Sequence, residues 1–176
     1  QARNVPGAKH RHWNRPNRDV PIVVMNGLTA EYWGGAVRDV VDDWNKSTMF
    51  DVRMGYFTAE EATLEARIKA CNGIMKGMIL ACNYNFADNP ERSIKEVDSW
   101  HGYALLRYTP NGHIHSAVVH FNENAKHNDL TYDYYGRLYL ACPEIGHALG
   151  LGHVSEDHST ALGTCMDYTN NHKKNS

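Results

Sequence analysis

Cys142-Pro143-Glu144-Ile145-Gly146-His147-Ala148-Leu149-Gly150-Leu151-Gly152-His153 is the stretch from which the rest of the chain is read. Residues four apart on a helix share a face, so positions 143 and 147 stand on consecutive turns, with Glu144 beside them. Gly150 lets the chain turn sharply out of the helix, because glycine carries no side-chain penalty at positive φ. His153 then returns towards His147. Position 143 holds a proline, which offers no metal donor and no amide hydrogen. Inside a helix it costs about 3 kcal/mol or more. Two conformations avoid much of that cost: a kink at 143, or a break near Cys142 with Pro143 in the first turn of a new helix. Both shift the face on which Glu144 and His147 sit.

Except at its first position, the stretch resembles the metzincin signature H-E-x-x-H-x-x-G-x-x-H. Glu144, His147, Gly150 and His153 match, and Pro143 stands in place of the first His. Downstream, Gly163-Thr164-Cys165-Met166-Asp167-Tyr168 resembles the Met-turn of the same proteases. The chain is thus similar to metzincin zinc metalloproteases, closest to the small secreted matrixin- or snapalysin-type proteins. The resemblance is carried by the final part of the chain, and elsewhere by the order of strands and helices alone. It implies a zincin-like α+β fold: a twisted, mostly parallel five-stranded sheet with an antiparallel edge strand, a backing helix, an active-site helix and the Met-turn.

It also implies a chemistry. His147 and His153 would ligate zinc, Glu144 would act as general base on a metal-activated water, and Tyr168 would stabilise the oxyanion. Met166 would underlie the metal. The substrate would be an extended peptide or protein bound in the cleft by strand addition. With Pro143 in place, two His remain of the three ligands usual at a catalytic zinc, so zinc is expected to be weakly bound or absent. Substitute ligands by position are His10, His12, Asp157 and His158, and Cys142 if it is not in a disulfide. The alternative is an impaired pseudoprotease serving as a peptide- or protein-binding module.

A chain of 176 residues with a net charge of −2 reads as one domain, and as a monomer without a nucleic-acid partner. No apolar run reaches membrane-spanning length, so no membrane partner is expected. The four cysteines point to an oxidising, extracellular setting and a secreted protein, against free buried thiols in a cytosolic one. Four cysteines allow three pairings, and their order favours Cys71–Cys82 with Cys142–Cys165.

In chain order, residues 1–18 are polar and basic and read as an extended arm. Residues 21–25 form an apolar strand. Thr29 is a plausible N-cap for a helix to Asn45 with Trp33, Val37, Val40, Val41 and Trp44 on its buried face. Alternation at Val52, Met54 and Tyr56 marks a second strand. Thr58-Ala59-Glu60-Glu61 has the form of a capping box, starting a helix to Ala70 with Leu64 and Ile68 inward. Residues 77–81 form a third strand. Tyr103–Tyr108 and Ile114–Phe121 flank Pro110-Asn111-Gly112 as a hairpin, the first arm being the antiparallel edge. His113, His115 and His120 on the second arm are weighed as a second metal site. Thr131-Tyr132-Asp133 begins the motif helix, and residues 170–176 form a polar tail.

Overall fold

The computed structural model describes residues 11–13, 21–28, 31–47, 49, 51–56, 63–89, 100–123, 133–155, 157, 159 and 161–167. Six strands form one sheet: β1 (His12–Trp13), β2 (Ile22–Gly27), β3 (Val52–Tyr56), β4 (Met78–Tyr84), β5 (Gly102–Tyr108) and β6 (His113–Asn122). Three α-helices accompany it among the described residues: α1 (Glu31–Asn45), α2 (Leu64–Asn72) and α3 (Tyr134–Ala148). The strand order is β1-β6-β4-β2-β3, all parallel, with β5 added antiparallel to β6. The fold is therefore α/β with a mostly parallel sheet, of six strands where five were expected. The extra strand is β1, two residues long, paired to His113 and Ile114 at the start of β6. Its pairing depends on a partner about a hundred residues away, which no local pattern announces.

Side-chain alternation sorts the sheet into two faces. One face carries Ile22, Val24, Ile79, Ala81, Ala117, Val119 and Phe121 and is covered by α1 and α3. Trp33 of α1 stacks on Phe121 at 4.3 Å between ring centroids, fixing that helix to the sheet. The buried stripe of α1 contains Trp33, Val37, Val40 and Val41, as its spacing predicts. The other face carries Leu80, Cys82, Tyr84, Tyr103 and Val118 beneath Ile68 and Cys71 of α2.

Helix α2 differs in detail from its sequence reading. Its N-cap is Thr63, whose side chain accepts the Ala66 amide at 3.2 Å, while the capping box at 58–61 lies outside the described residues. Leu64 is 41% exposed and not inward, whereas Ile68, one turn on, is buried. The hairpin is present: Gly112, at φ +86°, donates its amide to the Thr109 carbonyl at 2.8 Å. Both disulfides, Cys71–Cys82 and Cys142–Cys165, are formed, so no described cysteine is free. They fit an oxidising setting. No described helix is long and apolar enough to cross a membrane.

Candidate active site

The site is built on α3. Asp133 caps the helix by accepting the Gly136 amide at 2.6 Å. Leu140, Ala141, Ile145 and Ala148 then bury one stripe against α1 and the sheet. The helix runs unbroken through Pro143 from Tyr134 to Ala148, so it does not restart at Cys142. Pro143 has no amide hydrogen for the Tyr139 carbonyl. What holds the helix there is tertiary: the Trp44 indole donates to the Cys142 carbonyl at 3.3 Å, Cys142 is tied to Cys165, and Ile145 is fully buried.

The helix ends in a Schellman-type turn. The Gly150 amide donates to the His147 carbonyl at 2.9 Å and the Leu151 amide to the Gly146 carbonyl at 3.0 Å. Gly150 takes φ +100°, and a Cβ there would come within 2.6 Å of the Arg11 carbonyl oxygen. This turn carries the chain back beside its own helix. As a result the Leu151 carbonyl accepts a hydrogen bond from His147 Nδ1 at 2.9 Å. A carbonyl only accepts, so Nδ1 bears the proton and Nε2 of the neutral ring bears the lone pair. Burial lowers the His147 pKa, which favours that neutral form. His147 Nε2 stands 2.9 Å from His153 Nε2. The two imidazoles therefore meet through the nitrogens that ligate metals.

Met166 packs against Gly146, the residue before His147. It is buried, and a Cβ on Gly146 would fall 2.3 Å from its sulfur and 2.9 Å from the Trp44 ring. The Met166 carbonyl accepts the Val154 amide at 2.9 Å, joining this turn to the segment that follows His153. Asp167, also buried, accepts the Leu162 amide at 2.6 Å and shapes the same loop. Glu144 lies one turn before His147 and over the edge strand: a Cβ on Gly102 would be 3.4 Å from its Cγ and 3.6 Å from its Oε1. Burial pushes the Glu144 carboxyl up to about 7.

The structure thus brings His147 and His153 into contact and sets Met166 against Gly146, with Cys142 and Cys165 bridged alongside, while Glu144 of the same helix lies over Gly102. Tyr168, His10 and His158 lie outside the described residues. Of the substitute ligands, Cys142 is consumed by its disulfide, His12 sits against His113, and the Asp157 carboxylate accepts from Ser159. Among the described residues no group of three His, Cys, Asp or Glu side chains is placed to hold a metal, at the motif or at His113, His115 and His120. His120 is instead buried on the α2 face, stacked on Tyr103 at 4.5 Å with Nδ1 3.1 Å from the Tyr84 hydroxyl.

Two imidazole nitrogens 2.9 Å apart stand at hydrogen-bond distance, slightly closer than the ~3.3 Å between two nitrogens on one tetrahedral zinc. Pro143, about one turn before His147, has no donor atom on its ring. Among the described residues the motif thus offers a metal the two imidazoles and no third donor. Sequence reasoning missed the supports of this site: Arg11 and Trp13 of the N-terminal segment, Trp44 and Gly102. Trp44 had a visible signal as part of the α1 stripe, but its bond to the motif helix had none. The chain matches no protein-family model and no curated protein.

Proposed function

We propose that the chain is a secreted, metzincin-type zinc metalloendopeptidase with a reduced metal site, cutting extended peptide bound along β5. The single observation that carries this reading is the approach of His147 Nε2 to His153 Nε2 at 2.9 Å, with His147 Nδ1 held by the Leu151 carbonyl. Such a fixed pair, one turn from a carboxylate and next to the residue that Met166 packs on, suits peptide-bond hydrolysis better than core packing does. Zinc, when bound, supplies Lewis-acid polarisation and lowers the pKa of water. The chain's own residues do the rest. His147 and His153 hold the ion. Glu144, lifted to about 7 by burial, takes a proton at its carboxylate near neutrality and passes it to the leaving amine. The edge of β5 not paired to β6 orients the substrate main chain beside Glu144. Tyr168 stands as the oxyanion partner by resemblance alone.

A second reading is favoured by one observation, Pro143 inside the intact helix. With two imidazoles and no third, the same cleft would grip peptide without cutting it. Measuring bound zinc together with cleavage of unfolded casein separates the two. Stoichiometric zinc and cleavage abolished by Glu144→Ala support the protease. Casein bound but uncut, with or without added zinc, supports the binding module.

A further inference from the structure

A second pair of histidines lies apart from the motif. His12 of β1 and His113 of β6 are direct partners in the parallel register, and the next pair is Trp13 with Ile114. The His12 and His113 rings stand 4.6 Å apart between centroids at an interplanar angle of 79°. That is nearly the arrangement of His147 and His153, at 4.4 Å and 72°. One tetrahedral ion held through a nitrogen of each ring, at metal–nitrogen distances of about 2.0–2.1 Å, needs the rings only slightly farther apart than this contact. His12 is exposed and His113 half-buried, so an ion reaches them from solvent. His113 Nδ1 is shut away from water, so that ring would take an ion through Nε2.

What this pair touches gives it consequence. Adjacent strand residues point to opposite faces. Trp13 therefore reaches the α3 side of the sheet, where its indole donates to the Ala148 carbonyl at 2.9 Å. The carbonyl of Arg11 lies against Gly150, the turn that returns His153 to His147. The arginine side chain is engaged elsewhere, its guanidinium 4.1 Å over the Tyr108 ring and bonded to that hydroxyl at 2.8 Å. So β1 is a two-residue strand that buttresses the end of the motif helix. Its own hold on the sheet is short, and strands of that length have little pairing energy of their own.

We infer that His12 and His113 form a binding site for a divalent transition-metal cation such as zinc, a clasp that locks β1 onto β6 and so braces the Gly150 turn. A cross-strand imidazole pair suits zinc, copper or nickel and not calcium or magnesium, which take oxygen. The site is independent of the peptidase reading: it acts on the support of the motif and needs no chemistry at Glu144.

The test is titration of the full chain with zinc chloride, followed by the imidazole Hε1 signals in NMR and by amide exchange over residues 148–153. His12 and His113 signals should move together within the first equivalents, and exchange should slow. In a His147→Ala/His153→Ala variant the same shifts should persist. His113→Ala should weaken this binding by at least about 100-fold, since loss of even an outer-sphere partner costs 10–100-fold, and should remove the zinc-dependent slowing of exchange. Shifts confined to His147 and His153, or slowing that survives His113→Ala, would overturn the clasp. So would the absence of any zinc-induced shift at His12. Should the double variant fail to fold, the wild-type assignments alone decide between these outcomes. Calcium, titrated in parallel, should move neither ring.

Discussion

Pro143 stands four residues before His147 in an unbroken helix, so a His there would share its face. Replacing it by His should act twice. With a chelator present, the helix regains an amide donor, and unfolding free energy should rise by about 2 kcal/mol or more in urea titrations. With zinc present, a third ligand should tighten binding by about 100-fold or more in chelator competition. Loss of the second effect with retention of the first would mean that position 143 faces away from the metal. Glu144 makes a separate prediction through pH. Its carboxyl is raised from an ordinary value of 4.5 to about 7 by burial. Below that value it is protonated and cannot act as a base, so casein cleavage should climb roughly tenfold per pH unit up to neutrality and then level off. Stability runs the other way. Between pH 4.5 and 7 the folded protein holds a proton that the unfolded chain has lost, so stability falls as pH rises through that window. Glu144→Gln should abolish cleavage and flatten this slope, as measured by urea unfolding at pH 5 and pH 8.

Helix α3 and the Met166 turn act as one element because glycine separates them. A methyl group at position 146 would overlap the Met166 sulfur and press on Trp44. Gly146→Ala should destabilise by about 1–3 kcal/mol despite its better helix propensity, since overpacking outweighs the gain. It should also push Met166 and, through the Val154 amide, the His153 segment out of place. Thermal unfolding reads the first effect and zinc affinity the second. A stabilising Gly146→Ala would show that the turn yields freely. The same helix explains why proline is tolerated. The bond from Trp44, the disulfide at Cys142 and burial of Ile145 hold the backbone helical on both sides of the missing amide donor.

At the scale of the molecule, each disulfide belongs to one face of the sheet. Cys71–Cys82 ties α2 to β4, and Cys142–Cys165 ties α3 to the Met166 turn. The loops they close span 11 and 23 residues. Chain-entropy reasoning gives about 3 kcal/mol for each, slightly more for the longer. Replacing Cys142 and Cys165 together by Ala should lower stability by that amount and weaken zinc binding. Replacing Cys71 and Cys82 should lower stability alone. Urea unfolding and chelator competition on the two variants check both statements, and equal effects on zinc would contradict the division of the sheet into two faces.

The residues that the sequence determined by itself are those whose conformation is set within a few positions. Gly150 leaves the helix at positive φ because only glycine does so without strain. The Asn111-Gly112 turn closes its hairpin for the same reason, and Trp33, Val37 and Val41 are buried because their spacing follows the helical period. Glu144, His147 and His153 could be picked out because their spacing is itself the motif. Tertiary structure decided the rest. Leu64 is exposed and Thr63 caps α2, because what a helix rests on decides which of its residues face inward. Strand β1 exists only through its partners on β6, and Trp13 and Trp44 reach carbonyls of α3 that lie 135 and 98 residues away in the chain. The helix survives Pro143 for the same reason: contacts made across the fold outweigh a local penalty of about 3 kcal/mol, and no periodicity encodes such contacts.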